Sequence, residues 1–176
     1  EKQGKRVIPN TNTLNGIMTW SAPILSPDWG GISCGDLDGD GHKDDIVAIE
    51  NSQGNIYTFY YDDATNTMID GPSYTLANSA SNFTDVTCGK FCERTQLTDD
   101  IIIHRDLDGE TIVFKIVNGA IESIGETFFT SDQKMDILGA GNLKGDAKAE
   151  LISLRNFDGD VFAYNITISC TEGPGS

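Results

Sequence analysis

Gly35-Asp36-Leu37-Asp38-Gly39-Asp40-Gly41-His42-Lys43-Asp44 leads straight into Asp45-Ile46-Val47-Ala48-Ile49. The first part interleaves carboxylates with glycines, which disfavours both burial and a helix. The second is a short β-branched run of the kind that forms a buried strand. Ile32-Ser33-Cys34 lies just upstream and is also strand-like, so the acidic stretch reads as a loop between two strands.

Laid against itself, the chain repeats this unit. Ile32-Ser33-Cys34-Gly35-Asp36-Leu37 is echoed by Val86-Thr87-Cys88-Gly89-Lys90-Phe91 and by Leu138-Gly139-Ala140-Gly141-Asn142-Leu143, at spacings of 54 and then 52 residues. Each copy precedes an apolar run: Asp45–Ile49, then Asp100-Ile101-Ile102-Ile103-His104, then Leu151-Ile152-Ser153-Leu154. A glycine turn follows each time, at Gly54, Gly109 and Gly159, and leads into Ile56–Tyr60, Thr111–Phe114 and Val161–Tyr164. Such turns between β-branched and aromatic runs signal hairpins. Ser73-Tyr74-Thr75-Leu76 and Glu126-Thr127-Phe128-Phe129 are candidates for a fourth strand.

About four strands in each repeat of about 50 residues is the pattern of a propeller blade. The expected fold is therefore all-β, with β-propeller-type four-stranded blades in about three repeats, near 29–80, 81–132 and 133–170 of a single domain spanning 1–176. Leu14-Asn15-Gly16-Ile17 resembles Val117-Asn118-Gly119-Ala120, so residues 12–25 are expected to act as a fourth strand completing a blade. Three blades fall short of the roughly four to eight of a closed ring. That leaves a partial propeller, or one completed by a longer chain or by oligomerisation.

The residue types of the acidic loop point to a hard cation. Asp36, Asp38, Asp40 and Asp44 occupy its first, third, fifth and ninth positions, with the backbone carbonyl of His42 at the seventh and Gly41 at the sharp turn. Oxygen donors in that order suit calcium, and adjacent carboxylates repel one another without a cation. An EF-hand needs a bidentate Glu at the twelfth position, where Val47 stands here. The strand-like flanks favour a calcium loop between β-strands.

Gly35-Asp36-Leu37-Asp38-Gly39-Asp40-Gly41, followed by Asp44-Asp45-Ile46-Val47, resembles the FG-GAP repeat, the integrin alpha-subunit type of blade, and the similar VCBS repeat. The resemblance implies a β-propeller with calcium in the loop between the first two strands, on the face opposite the one that usually carries ligands. It extends over nearly all of the chain as repeats, but the full motif occurs once. The second repeat has Lys90, Cys92 and Arg94 in the places of Asp36, Asp38 and Asp40. The third has Asn142, Lys144, Asp146 and Glu150, where the Lys144 ammonium is expected to substitute for the ion. One calcium site is expected.

Composition narrows the partners. With 12 Lys and Arg against 27 Asp and Glu, a net charge of −15 argues against nucleic acid and anionic membrane surfaces. No apolar run reaches the ~20 residues needed to cross a bilayer, so no membrane insertion is expected. The sequons Asn82-Phe83-Thr84 and Asn165-Ile166-Thr167, with a chain opening Glu1-Lys2-Gln3, suit a processed, secreted or cell-surface glycoprotein. Cys34, Cys88 and Ala140 share one repeat position, which suggests small buried side chains there; Cys92 and Cys170 fall outside that pattern.

Nothing in the sequence resembles a nucleophile elbow, a phosphate-cradling loop or a His-rich metal site, and the two histidines are His42 and His104. No catalytic residues are expected, and any catalysis belongs in another domain of a parent protein. Two roles remain: recognition of a protein or glycan, or a structural, non-catalytic scaffold in a larger extracellular protein. Trp20, Trp29, Tyr60 and Tyr61 are the candidates for a sugar platform or interface anchor.

Overall fold

The computed structural model describes residues 28–76, 82–92, 97–128, 137–146, 148–155 and 158–166. Among the described residues there are strands and turns and no helix, hence no helix long and apolar enough to cross a membrane. β1 (Trp29–Gly35), β2 (Asp45–Glu50), β3 (Asn55–Asp62) and β4 (Thr67–Thr75) form a first sheet in sequence order. β5 (Asp85–Gly89), β6 (Asp100–His104), β7 (Glu110–Val117) and β8 (Ala120–Phe128) form a second. β9 (Ile137–Gly141), β10 (Glu150–Arg155) and β11 (Asp160–Tyr164) form a third, three-stranded among the described residues. Every pairing is antiparallel between chain neighbours.

The turns form where local chemistry allows them. Gly54, Gly109 and Gly159 take φ of 66°, 78° and 77°, a region costly for residues with a Cβ. Asn118 and Gly119, at φ 50° and 75°, make the tight turn between β7 and β8. Two hairpins carry a further brace. The Arg105 guanidinium donates to both oxygens of Asp108, at 2.8 and 2.7 Å. Arg155 does the same to Asp158 through Nε at 3.0 Å and through Nη2.

The register makes the repeats superimposable: Gly35 pairs with Asp45, Gly89 with Asp100, and Gly141 with Glu150. Strand alternation then gives each sheet two faces. One face carries Ile46 and Phe59 in the first sheet, Ile101 and Phe114 in the second, and Leu151 and Tyr164 in the third. The other carries Val47 and Thr58, Ile102 and Val113, and Ile152 and Ala163.

Each core lies between successive sheets. Val47, Ile49 and Ile56 of the first sheet pack with Val86, Ile101, Ile103 and Phe114 of the second. Phe91, Ile102 and Val113 then pack with Leu138 and Leu151 of the third. Glycines at the ends of β1 and β5 let the sheets approach: a Cβ on Gly35 would lie 2.7 Å from the Cβ of Cys88, and one on Gly89 would lie 3.0 Å from the Cβ of Ala140.

Two expectations meet the structure differently. β4 starts at Thr67, well before Ser73: its first half, Thr67-Met68-Ile69-Asp70, has a single adjacent apolar pair, of which Ile69 is 48% exposed, too short a run to signal a strand. Cys88 is buried but Cys34, at the equivalent position, is exposed: no sheet among the described residues covers its face. Burial pushes the Cys88 thiol far up from its ordinary range, with the Asp99 charge adding to it, so that thiol is unreactive. The strand expected at 12–25 lies outside the described residues.

Candidate metal centre

The loop between β1 and β2 is built by its own carboxylates. Asp45, buried at the start of β2, accepts from Leu37 N at 2.8 Å and Asp38 N at 3.0 Å through Oδ2, and from Tyr61 N at 3.0 Å through Oδ1. It clamps the loop to β3. Asp36 accepts from Gly39 N at 2.9 Å and Gly41 N at 3.1 Å. Asp38 Oδ1 accepts from Asp40 N at 3.0 Å, and Asp40 Oδ1 from His42 N at 2.7 Å. These bonds curl the chain, and positive φ at Gly39 (86°) and Gly41 (93°) completes the curl.

The curl brings carboxylate oxygens of Asp36, Asp38 and Asp40 within 4.8 Å of one another. Asp36 is buried while Asp38 and Asp40 open to solvent, so the group has one inner and two outer donors. Burial, foremost, and the Asp99 charge raise the Asp36 carboxyl above its ordinary 3.8, despite the opposing bonds from Gly39 and Gly41. Burial likewise raises Asp45. The loop's lysine does not relieve the crowding, because Lys43 Nζ is committed to Asp99 at 3.1 Å. Three hard oxygen donors this close match the donor chemistry of calcium and repel one another unless a cation lies between them.

Of the residues the sequence singles out, the structure groups Asp36, Asp38 and Asp40; half-buried Asp44 stands outside that group. The imidazole of His42 faces Asp40 at 3.5 Å and Asp63 at 3.7 Å. Asp63 belongs to the β3–β4 turn and forms a second acidic group with Asp40 and His42. Only the folded chain brings it there, so nothing local in the sequence marks it.

The other two loops share the frame but differ in donors. Asp100 Oδ2 accepts from Phe91 N at 3.0 Å and Cys92 N at 2.9 Å, repeating the clamp of Asp45. Lys90 is half-buried, Cys92 is held in a disulfide whose partner lies outside the described residues, and so does Arg94. In the third loop Asn142 Oδ1 accepts from Gly145 N at 2.6 Å, and Asp146 Oδ1 from Lys148 N at 2.9 Å, as Asp36 and Asp40 do in the first. Glu150 opens β10 and accepts from Leu143 N at 2.8 Å, so it takes the place of the clamp rather than of a ligand. Its extra methylene spans a loop one residue shorter. Lys144 Nζ sits 3.5 Å from Oε1 of this same Glu150.

The four aromatic candidates separate clearly. Tyr60 packs on the first core, and burial pushes its hydroxyl up to about 12. Tyr61 is half-buried with its hydroxyl bonded to Asn66. Trp20 lies outside the described residues. Trp29 is 40% exposed, edge-on to Tyr57 with ring centroids 5.9 Å apart. Both sequon asparagines, Asn82 and Asn165, are exposed. The sequence matches no family model and no curated protein.

Proposed function

We propose that this chain is a non-catalytic, extracellular calcium-binding module of β-propeller type, of the FG-GAP or VCBS kind, that presents its loops to a protein or glycan partner. The observation that carries the calcium reading is the convergence of Asp36, Asp38 and Asp40 in a loop whose backbone donors already hold them in place. Those three side chains would hold the ion, with the His42 carbonyl and Asp44 as the remaining donors of the loop. Calcium bound there would neutralise the crowded carboxylates and stiffen the link between β1, β2 and the β3–β4 turn. Recognition through an aromatic anchor rests on Trp29, the exposed one of the described candidates.

Stability measured against pH, with and without calcium, tests the reading. In chelator, Asp36 and Asp45 bind protons more readily folded than unfolded, since both are raised above 3.8. Their contribution to stability therefore falls as pH rises from 3.8 through the raised values. With calcium the direction reverses, because binding needs the ionised carboxylates. Calcium at about 100 times its dissociation constant should add about 2.7 kcal/mol at neutral pH, and Asp38→Ala should remove that increment. A calcium increment of the same size in Asp38→Ala would place the ion elsewhere.

A further inference from the structure

β1, β5 and β9 end side by side, and the loops that follow them enclose a cleft of about 450 Å³. Three lysines line it. Lys43 and Lys148 hold the same repeat position, two residues before β2 and β10, and Lys90 is the first residue of the loop after β5. Cations are scarce in a chain with 12 Lys and Arg against 27 Asp and Glu, yet three of the seven described ones line this one cleft.

The three differ in what holds them. Lys43 Nζ meets Asp99 at 3.1 Å, and Lys148 is engaged as well. Outside the cleft, Arg105, Lys115, Lys144 and Arg155 each face a carboxylate of their own repeat. Lys90 is the exception: its ammonium has no carboxylate and no hydrogen-bond acceptor among the described residues. It is half-buried, and its backbone is pinned, since its carbonyl accepts from Ala149 N of the third repeat at 2.8 Å. A cation partly withdrawn from water without a partner carries a desolvation cost that an anion would offset.

The rest of the wall selects the anion. Asp99 Oδ2 accepts from Lys43 Nζ and Asp36 N, and the Asp36 carboxylate accepts from Gly39 N and Gly41 N, so both lining carboxylates already have donors. Three ammoniums against those two carboxylates leave one positive charge, which a single carboxylate matches and a phosphate dianion exceeds. Among the described residues no arginine lines the cleft, so the bidentate fork that suits phosphate is missing. No aromatic ring lines it either, so a sugar ring would find no flat apolar platform. The walls are instead small and aliphatic at Ala140 and Ala149, with Leu97 63% exposed beside them. The net charge of −15 opposes an anion at long range, but screening at physiological ionic strength confines each charge to about 8 Å, where the cleft's own lysines act.

We propose that this cleft binds an acidic side chain of a protein partner, with the carboxylate on the Lys90 ammonium and the aliphatic residues beside it against Leu97, Ala140 and Ala149. The inference rests on the recognition role proposed above, choosing a protein over a glycan at this site. It does not rest on calcium, since the Lys90 loop has Lys90, Cys92 and Arg94 in the places of the metal's carboxylates.

Titration of the whole chain, followed through its backbone amide resonances in chelator at physiological salt, tests it. The probes are the tripeptides Leu-Glu-Leu and Leu-Gln-Leu, acetylated and amidated so that the Glu side chain is the only charge. The Glu peptide should shift the amides of Gly89, Lys90 and Gly141, and the Gln peptide should not. Lys90→Gln should weaken binding of the Glu peptide at least ~10-fold, and Lys90→Arg, which keeps the charge, should restore most of it. Both variants should retain the wild-type circular dichroism spectrum, because the bond from Lys90 to the third repeat runs through its carbonyl. Equal shifts with the Gln peptide, unchanged affinity in Lys90→Gln, or no shift at the cleft would overturn the proposal. So would inorganic phosphate binding these residues more tightly than the Glu peptide does. Shifts around Trp29 in place of the cleft would also overturn it, while leaving the recognition role itself standing.

Discussion

Asp45→Ala is expected to lower the unfolding free energy by about 3 kcal/mol or more, the largest effect of any substitution in the acidic loop. Three backbone donors, Leu37 N, Asp38 N and Tyr61 N, end on this one carboxylate, which is 1% exposed. Removing it leaves donors stranded in a site that water reaches poorly, at a cost of about 1–3 kcal/mol for each buried group. Burial raises the Asp45 carboxyl, which offsets part of the gain from its bonds, so the expected loss is smaller than three full penalties. Urea unfolding in chelator reads it without the contribution of a metal. Asp44→Ala, in the neighbouring half-buried residue, should change the midpoint little. Equal losses in the two variants would show that Asp45 does not hold the loop.

Phe114→Ala should cost about 3–5 kcal/mol. Its side chain is fully buried in the core between the first two sheets, with the Tyr74 ring edge-on at 5.1 Å. Truncation forfeits the transfer free energy of the ring and leaves a cavity that two hydrogen-bonded sheets cannot close by sliding, because their strand registers are fixed. Against a total stability of about 5–15 kcal/mol for a typical domain, this variant should be largely unfolded at moderate urea. Leu107→Ala, at a position 74% exposed, should shift the midpoint by no more than about 0.5 kcal/mol. A Phe114→Ala loss as small as that would mean the first two sheets are not joined through this core.

The strands were legible because each buried face writes itself into the sequence as a β-branched or aromatic run. Asp45–Glu50, Asp100–His104 and Glu150–Arg155 fall where those runs predict. The turns were legible because Gly54, Gly109 and Gly159 occupy a backbone region that other residues avoid. The start of β4 was not, since Thr67-Met68-Ile69-Asp70 is mostly exposed and its one apolar pair is too short to mark a strand. The exposure of Cys34 was hidden for a different reason: equivalent positions in a repeat share geometry, but burial depends on whether a neighbouring sheet is there. At the site, spacing found the three carboxylates that converge. It did not separate ligand candidates from clamps, because Asp44 and Asp45 are adjacent identical residues, the first just before β2 and the second its buried first residue. Only the recurrence of a buried carboxylate at Asp45, Asp100 and Glu150 marks the clamp. Asp63 was out of reach, since its approach to Asp40 depends on the β3–β4 turn folding back.

The central claim is that the first loop holds calcium, and isothermal calorimetry of the whole chain tests it most directly. The account predicts one calcium per chain, with heat that disappears in both Asp38→Ala and Asp40→Ala while the strand content of each variant is unchanged. No calcium uptake by the wild-type chain, or uptake that survives both substitutions, would contradict it.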